Sequence, residues 1–204
     1  MPAPTAPAPR PEQTALVVIG AGDGGAGALA RVIRTLPKHF PAALLALVHE
    51  TPTGNRGRDF AEALRGHGAW PIAYAKEGER IHRSCWRLAP PGCHLLVNRD
   101  GRLTLNGGPK ILRTGRPAVD LLFQSAATAF GPHVIGVLLS GDDGDGTDGL
   151  RAIKAAGGVA VVQSPVDATH PDMPRHAVLG DDPDHCVLLD AIGPLLGRLV
   201  QQTV

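Results

Sequence analysis

The chain has 204 residues, of which 43% are hydrophobic, so it is long enough to bury one sizeable core. Its 20 Lys and Arg residues nearly balance its 19 Asp and Glu residues, and only 3% of the residues are aromatic. This composition argues against a general electrostatic binder of nucleic acid or of anionic membranes, and against aromatic surfaces on which bases stack. We predict one folded domain over residues 14–204 and no nucleic acid partner.

The first 13 residues are rich in Pro and Ala, with Arg10 as the single positive side chain and no apolar run. Such a segment is unlike a secretory signal peptide, and we expect a disordered tail over residues 1–13. The three cysteines, Cys85, Cys93 and Cys186, lack zinc-ligand spacing, which is typical of reduced thiols in an intracellular protein. No stretch reaches the roughly 18 apolar residues of a membrane span, so we expect a cytoplasmic protein without membrane insertion.

The first predicted strand, residues 15–19, is a continuous run of aliphatic side chains, as expected for a strand buried on both faces. A glycine-rich turn, Gly20-x-Gly22-x-x-Gly25, follows and leads into a predicted helix over residues 26–36. The glycine spacing fits the dinucleotide-binding fingerprint, in which amides of the turn bind a pyrophosphate. Alternatively, the turn is a nucleophile site that lacks its hydroxyl at Gly22. The glycines alone do not separate these two interpretations.

The second predicted strand, residues 42–48, ends at His49 and is followed by a loop and a predicted helix at about residues 56–65. Open α/β sheets place their chemistry at the carboxyl ends of their strands. His49 is therefore a candidate functional residue.

Residues 72–105 have a different pattern, with short extended segments separated by turn dipeptides such as Asp100-Gly101. We expect an antiparallel β-hairpin insertion over about 72–105, with a hairpin turn at Asp100-Gly101. The alternation of helices and strands then returns. It predicts helices over residues 117–130, 147–156, 173–178 and 187–200, and strands over residues 133–139 and 158–163. The predicted fold is therefore α/β, with a doubly wound, mainly parallel sheet, helices on both faces and the antiparallel insertion.

Polar residues follow three of the predicted strands: Gly22 and Asp23 after the first, His49 after the second, and an aspartate-rich loop after the strand at 133–139. That loop contains Asp142, Asp143 and Asp145. Neighbouring strand ends of a doubly wound sheet meet in one crevice, where a Ser, a His and an Asp would form an acyl-transfer triad. The hydroxyl is missing from this set. The aspartates also lack the alternating spacing and distal Glu of a calcium-binding loop, so we expect no metal.

Several segments of the chain resemble, in the same order, the catalytic domain of the CheB-type chemotaxis protein-glutamate methylesterases. The glycine turn resembles that family's Gly-Ala-Ser-x-Gly-Gly turn, and the strand ending at His49 resembles the strand that carries its catalytic histidine. Further segments resemble the family's APP…HLLV, RPSVDVLF and GVLLTG…DG…GL patterns and its late Met-Pro pair: residues 88–97, 116–123, 136–150 and 173–174. The resemblance runs from about residue 16 to residue 200 and implies the same α/β fold.

The resemblance implies a role for each matching position. His49 is similar to the family's general base and Asp145 to the carboxylate that orients it, while Gly22 stands where the family has its nucleophilic serine. Loss of the nucleophile alone removes about as much rate as loss of the whole triad, on the order of a millionfold. Asp142 and Asp143 replace apolar or small residues near the oxyanion-binding turn, where negative charge opposes a developing oxyanion. We therefore expect a catalytically degenerate methylesterase-like domain that needs no cofactor.

The partner implied by the resemblance is a methyl-accepting receptor segment or another signalling protein. It would bind in the crevice where the family has its catalytic residues. In the family's full-length architecture a receiver domain precedes this domain. Residues 1–13 are too few for a folded unit, so we expect no receiver domain in cis.

Two alternative functions remain open. The chain could be an ester or amide hydrolase that uses Asp23 as a base or nucleophile, or that uses a water activated by His49. The turn that begins at Gly20 could instead bind a nucleotide, with Glu50 as a candidate ribose acceptor.

Overall fold

The structure is a computed structural model that describes residues 14–49, 58–66, 70–106 and 118–203. The predicted tail over residues 1–13, the candidate ribose acceptor Glu50 and the predicted helix start at Pro117 lie outside the described residues. The division of the chain into a tail and one domain over 14–204 therefore stays a prediction.

Strands and helices alternate along the described part of the chain. The strands are β1 Leu16–Ala21, β2 Ala43–Val48, β3 Ala73–Tyr74, β4 Trp86–Leu88, β5 His94–Val97, β6 Leu103–Asn106, β7 Val134–Leu138, β8 Val159–Gln163 and β9 His185–Val187. The helices are α1 Gly25–Thr35, α2 Arg58–Arg65, α3 Val119–Phe130, α4 Thr147–Ala155, α5 Asp172–Asp181 and α6 Leu189–Gln202. A short 3₁₀ turn over Gly131–His133 connects α3 to β7.

Seven of these strands form one parallel sheet in the order β3-β4-β2-β1-β7-β8-β9. The strand at its centre, β1, pairs in parallel with both β2 and β7. The chain leaves β1 towards one edge of the sheet and later returns on the other side of β1. The carboxyl end of β1 is therefore a topological switch point, where open α/β sheets form a crevice.

Side chains of the central strand alternate between two apolar clusters, because successive residues of a strand point to opposite faces. Val17 and Ile19 pack in one cluster, which also contains buried residues of α1, α2 and α6. Leu16 and Val18 pack in the other, together with buried residues of α3, α4 and α5. Helices thus cover both faces of the sheet, as a parallel sheet requires.

This architecture confirms the predicted fold class, but the antiparallel part is smaller than predicted. Only β5 and β6 form a two-stranded antiparallel sheet among the described residues. The prediction that the insertion begins near residue 72 is wrong, since β3 and β4 join the main sheet in parallel with β2. Burial explains this pairing: Trp86 of β4 is fully buried and stacks on Trp70 with ring centroids 4.3 Å apart, so β4 lies against the core.

The carboxyl-terminal segment also differs from the prediction. Val187, predicted as the first residue of the closing helix, lies in β9, and α6 begins at Leu189. The carbonyl oxygen of Val187 accepts a hydrogen bond from Ser164 N at 2.8 Å, so this residue extends the sheet before the helix begins.

Three further predictions concern membranes, cysteines and metals. In the part of the chain that the structure describes, no helix is long and apolar enough to cross a membrane. Cys85 is buried, Cys93 is half-buried and Cys186 is exposed, and all three are free thiols. Within the same ranges, no group of three or more His, Cys, Asp or Glu side chains is arranged to hold a metal ion.

Candidate functional site

The turn after β1 folds back on itself and on the neighbouring strand end. Gly22 N donates to the carbonyl oxygen of Ser140 at 2.8 Å, and Gly25 N donates to Gly22 O at 3.0 Å. Gly24 has a φ of 73°, which favours glycine, and its N–H donates to Asp23 Oδ1 at 2.9 Å. These three amides already have partners within the protein. A pyrophosphate would have to displace those hydrogen bonds, which disfavours the dinucleotide interpretation.

His49 follows β2 and lies next to this turn. Its backbone N–H donates to the carbonyl oxygen of Ala21 at 2.9 Å. Its imidazole is 11% exposed, with Nε2 at 3.0 Å from Asp145 Oδ2 and Nδ1 at 3.1 Å from Asp143 Oδ2. The ring is thus held between two carboxylates of the loop that follows β7.

Asp145 is fixed by the first turn of α3 as well as by His49. Its side chain is fully buried, and its carboxylate oxygens accept hydrogen bonds from Val119 N at 2.6 Å and Asp120 N at 2.9 Å. A carboxylate at a helix N-terminus satisfies free amides and interacts favourably with the helix dipole. Burial alone would raise the pKa of Asp145, but the hydrogen bonds from His49 and these two amides outweigh burial and lower it.

Asp120 lies behind this carboxylate and joins α3 to the start of α4. Its Oδ1 accepts hydrogen bonds from Gly146 N at 3.0 Å and Gly149 N at 2.7 Å. Burial and the negative charge of Asp145 raise the pKa of Asp120 to about 6. The base of the crevice is therefore a connected network of carboxylates and backbone amides.

The surroundings of His49 favour its charged form. Burial lowers the pKa of a histidine, but the hydrogen bonds and charges of Asp143 and Asp145 more than offset burial and raise the pKa of His49 to about 9. An ionised carboxylate only accepts hydrogen bonds, so a ring held between two carboxylates donates from both nitrogens. This arrangement favours the protonated imidazole ring over the neutral one.

The space beside Gly22 is closed by neighbouring residues. A Cβ atom on Gly22 would lie 2.8 Å from Gly141 Cα and 3.0 Å from Met173 Sδ. Two carbon atoms that are not bonded do not pack this closely in a protein interior, so a side chain here would require the loop after β7 to move. The same Cβ would lie 3.5 Å from the backbone nitrogen of Asp142.

The loop after β7 is fastened to the segment that leads into α5. Gly141 N donates to His170 O, and Met173 N donates to Gly141 O, both at 2.9 Å. The buried Ser140 Oγ donates to Asp23 O at 2.8 Å and accepts from His170 N at 2.9 Å. The Asp23 side chain is 43% exposed, with Oδ2 at 3.6 Å from His170 Nε2. Asp23 therefore lies at the rim of the crevice, with its carboxylate next to the imidazole ring of His170.

The structure brings His49 and Asp145 together at the ends of β2 and β7, and places Gly22 at the end of β1, the strand between those two. Sequence reasoning missed the contact between Asp143 and His49 and the support that Asp120 gives to the loop. Asp143 carried one signal, since it stands where the resemblance leads one to expect a small or apolar residue. Asp120 lies in a segment that resembles a family pattern, but nothing in that pattern indicates its contacts with α4.

Known proteins share this architecture. A family model described as CheB methylesterase matches residues 17–196. The crystal structure of the Thermotoga maritima CheB methylesterase catalytic domain is similar with a TM-score of 0.85 and 28% sequence identity, covering 92% of this chain and 100% of that chain.

Relatives with longer chains share the same region. The chain is 37% identical over 185 residues to the protein-glutamate methylesterase FrzG of Myxococcus xanthus, covering 91% of this chain and 54% of that protein. It is 34% identical over 209 residues to protein-glutamate methylesterase/protein-glutamine glutaminase 4 of Anaeromyxobacter dehalogenans, covering 95% of this chain and 57% of that protein. The chain thus spans about half the length of these two relatives. A Leptospira interrogans relative, 32% identical, is covered over 96% of its length.

Proposed function

Because the chain belongs to the CheB methylesterase family, we propose that it is a methylesterase-like domain of chemotaxis or related signalling that binds a partner without cleaving esters. The partner is a methyl-accepting receptor segment or another signalling protein of the cytoplasm. It docks at the crevice formed by the carboxyl ends of β1, β2 and β7, and the proposal involves no cofactor.

The observation that carries this proposal is the glycine at position 22. In a Ser-His-Asp site the serine oxygen attacks the ester carbonyl, the histidine takes the hydroxyl proton, and backbone amides bind the oxyanion. Gly22 has no oxygen for the first step, and Gly141 Cα lies 2.8 Å from where a serine Cβ would stand. Loss of the nucleophile alone removes roughly a millionfold of rate, so ordinary methylesterase turnover is expected to be absent.

Incubation with a methylated receptor fragment tests both parts of the proposal. We expect methanol release no faster than in buffer, together with binding of the fragment measured by isothermal titration calorimetry. The Thermotoga maritima domain serves as the reference methylesterase. Methanol release near the rate of that reference would overturn the loss of activity, and failure to bind any receptor fragment would overturn the binding role.

A second candidate function, hydrolysis of a small ester or amide by Asp23, is favoured by one observation. Asp23 is 43% exposed next to Gly22 and faces His170 Nε2 at 3.6 Å, so a carboxylate–imidazole pair is open to solvent. A panel of small esters tests this candidate. Asp23→Asn should abolish any turnover that is found, whereas His49→Ala should leave that turnover unchanged.

A further inference from the structure

We propose that Asp143 holds His49 in its doubly protonated form and thereby removes the base from the crevice, independently of the missing serine. We call Asp143 Oδ2, the His49 ring and Asp145 Oδ2 the carboxylate clamp. This inference deepens the proposed function, since it supplies a second reason for the absence of ester cleavage. Its test measures the proton on the ring and not catalysis, so the two proposals can fail separately.

A histidine that acts as a general base needs its two ring nitrogens for different tasks. One nitrogen donates to an orienting carboxylate, and the other carries the lone pair that receives the proton of the nucleophile. In this chain Asp145 Oδ2 lies 3.0 Å from Nε2 and Asp143 Oδ2 lies 3.1 Å from Nδ1. Both nitrogens are therefore engaged by carboxylate acceptors.

The backbone of the loop orients Asp143 towards the ring. Asp143 Oδ1 accepts a hydrogen bond from Asp145 N at 3.0 Å, and the carbonyl oxygen of Asp143 accepts one from His176 Nδ1 at 3.2 Å. The carboxylate is held at one oxygen and presents the other to His49. Hydrogen bonds that hold this carboxylate reduce the conformational entropy that its contact with His49 costs.

The groups that face the ring come from several elements of the described structure. The loop after β7 supplies Asp143 and Asp145, while β1 binds only the backbone of His49, through the carbonyl of Ala21. Asp120 of α3 lies behind Asp145, and His176 of α5 contacts Asp143 on its backbone side. Two carboxylates thus flank one imidazole, and the pKa of His49, about 9, agrees with this arrangement.

The carboxylate clamp also gives His49 a structural task. His49 contacts Asp143 and Asp145 and so connects the end of β2 to the loop after β7. Asp145 in turn accepts hydrogen bonds from amides of α3, which connects that helix to the same group. His49 therefore has a structural role that does not require it to act as a base. Its presence in the sequence carries no evidence of turnover.

A nuclear magnetic resonance titration of the His49 ring nitrogens in the intact ¹⁵N-labelled chain tests the proposal. In the wild-type chain both nitrogens should be protonated at pH 7. Asp143→Asn removes one of the two flanking charges and should lower the titration midpoint by about one pH unit or more. Asp142→Asn, a neighbouring exposed aspartate of the same loop, is the matched control and should leave the midpoint unchanged.

Two results would overturn the proposal. One is a His49 ring that is neutral at pH 7 in the wild-type chain, which decides the matter even if the Asp143→Asn variant does not fold. The other is a folded Asp143→Asn variant whose His49 midpoint equals that of the wild type. Methanol release by the wild-type chain would instead refute the proposed function, and the titration would still report on the clamp.

Discussion

The two sides of the crevice differ in the polar side chains that they carry. On one side, His49, Asp145 and the first amides of α3 form a buried and fully hydrogen-bonded group. On the other side, the turn after β1 has no hydroxyl at Gly22, and Gly141 lies within contact distance of the space that a side chain would need. His49 and Asp145 connect β2, the loop after β7 and α3. A serine at position 22 would not be needed for these connections. A histidine–aspartate pair is therefore weak evidence for catalysis in this chain.

The largest effect is expected from a substitution on the base side, the side of the crevice that contains His49 and Asp145. Asp145→Ala removes the acceptor for two α3 amides and leaves the His49 imidazolium with one partner. The free energy of unfolding should fall by about 3–5 kcal/mol, the usual result of removing one member of a buried ion pair. Urea denaturation at pH 7 measures this change. Asp142→Ala, at an exposed position of the same loop, should change it by less than about 0.5 kcal/mol. Equal losses in the two variants would contradict the structural role of the pair.

The pH dependence of stability gives the next largest effect. The pKa of His49 in the fold, about 9, lies above the ordinary value of 6.5. His49 therefore stabilises the fold in full below pH 6.5, and this contribution is lost as the pH rises through 9. The difference corresponds to roughly 3 kcal/mol.

A denaturation series from pH 7 to pH 10 measures this loss as the difference between the wild-type chain and a His49 variant, since burial raises the pKa of the Cys85 thiol equally in both. His49→Gln is the matched variant and should remove most of the decline. A wild-type chain whose stability stays constant from pH 7 to pH 10 would show that the ring is not held as a cation.

A moderate effect is expected on the nucleophile side. Gly22→Ser should lower the free energy of unfolding by about 1–3 kcal/mol, the usual cost of overpacking, because its Cβ would meet Gly141 Cα at 2.8 Å. It should also show no ester turnover while the carboxylate clamp is intact. Gly27→Ala in α1 is the control, since nothing lies within 4 Å of an added Cβ there, and it should stabilise the chain by about 0.5–1 kcal/mol. Methylesterase turnover by Gly22→Ser alone would contradict both the closure of this side and the clamp.

The smallest effect is expected at the rim. Asp23 is 43% exposed and lies 3.6 Å from His170, and exposed ion pairs contribute about 0–1 kcal/mol. Asp23→Asn should therefore change the free energy of unfolding by less than about 0.5 kcal/mol, measured by urea denaturation. A loss of unfolding free energy as large as that of Asp145→Ala would mean that Asp23 belongs to the buried network. It would contradict the division of the crevice into two sides.

The central part of the fold could be predicted from sequence because its strands are unbroken aliphatic runs. β1, β2, β7 and β8 lie within about two residues of their predicted bounds. The extended segments of β3 and β4 were predicted, but their parallel pairing was not, since these strands are only 2 and 3 residues long and the pairing depends on the burial of Trp86. Val187 joins β9 through a contact with Ser164, which no local pattern in the sequence encodes.

The candidate site could be predicted only in part, for a similar reason. His49 and Asp145 follow β2 and β7, the two parallel strands that flank β1, and the carboxyl ends of such strands meet in one crevice whatever the loops between them. The direction of the Asp143 side chain instead depends on hydrogen bonds within its own loop and on His176 of α5. The closure at Gly22 likewise depends on how Gly141 is fastened to the segment before α5, which is a tertiary contact.

The central claim is that the histidine–aspartate pair holds the structure together and performs no catalysis. Methanol release from a methylated receptor fragment, compared between the wild-type chain and His49→Ala over an extended incubation, tests this claim most directly. The account predicts that both folded proteins release methanol at the rate of buffer alone. Release above buffer by the wild-type chain that His49→Ala abolishes would contradict it.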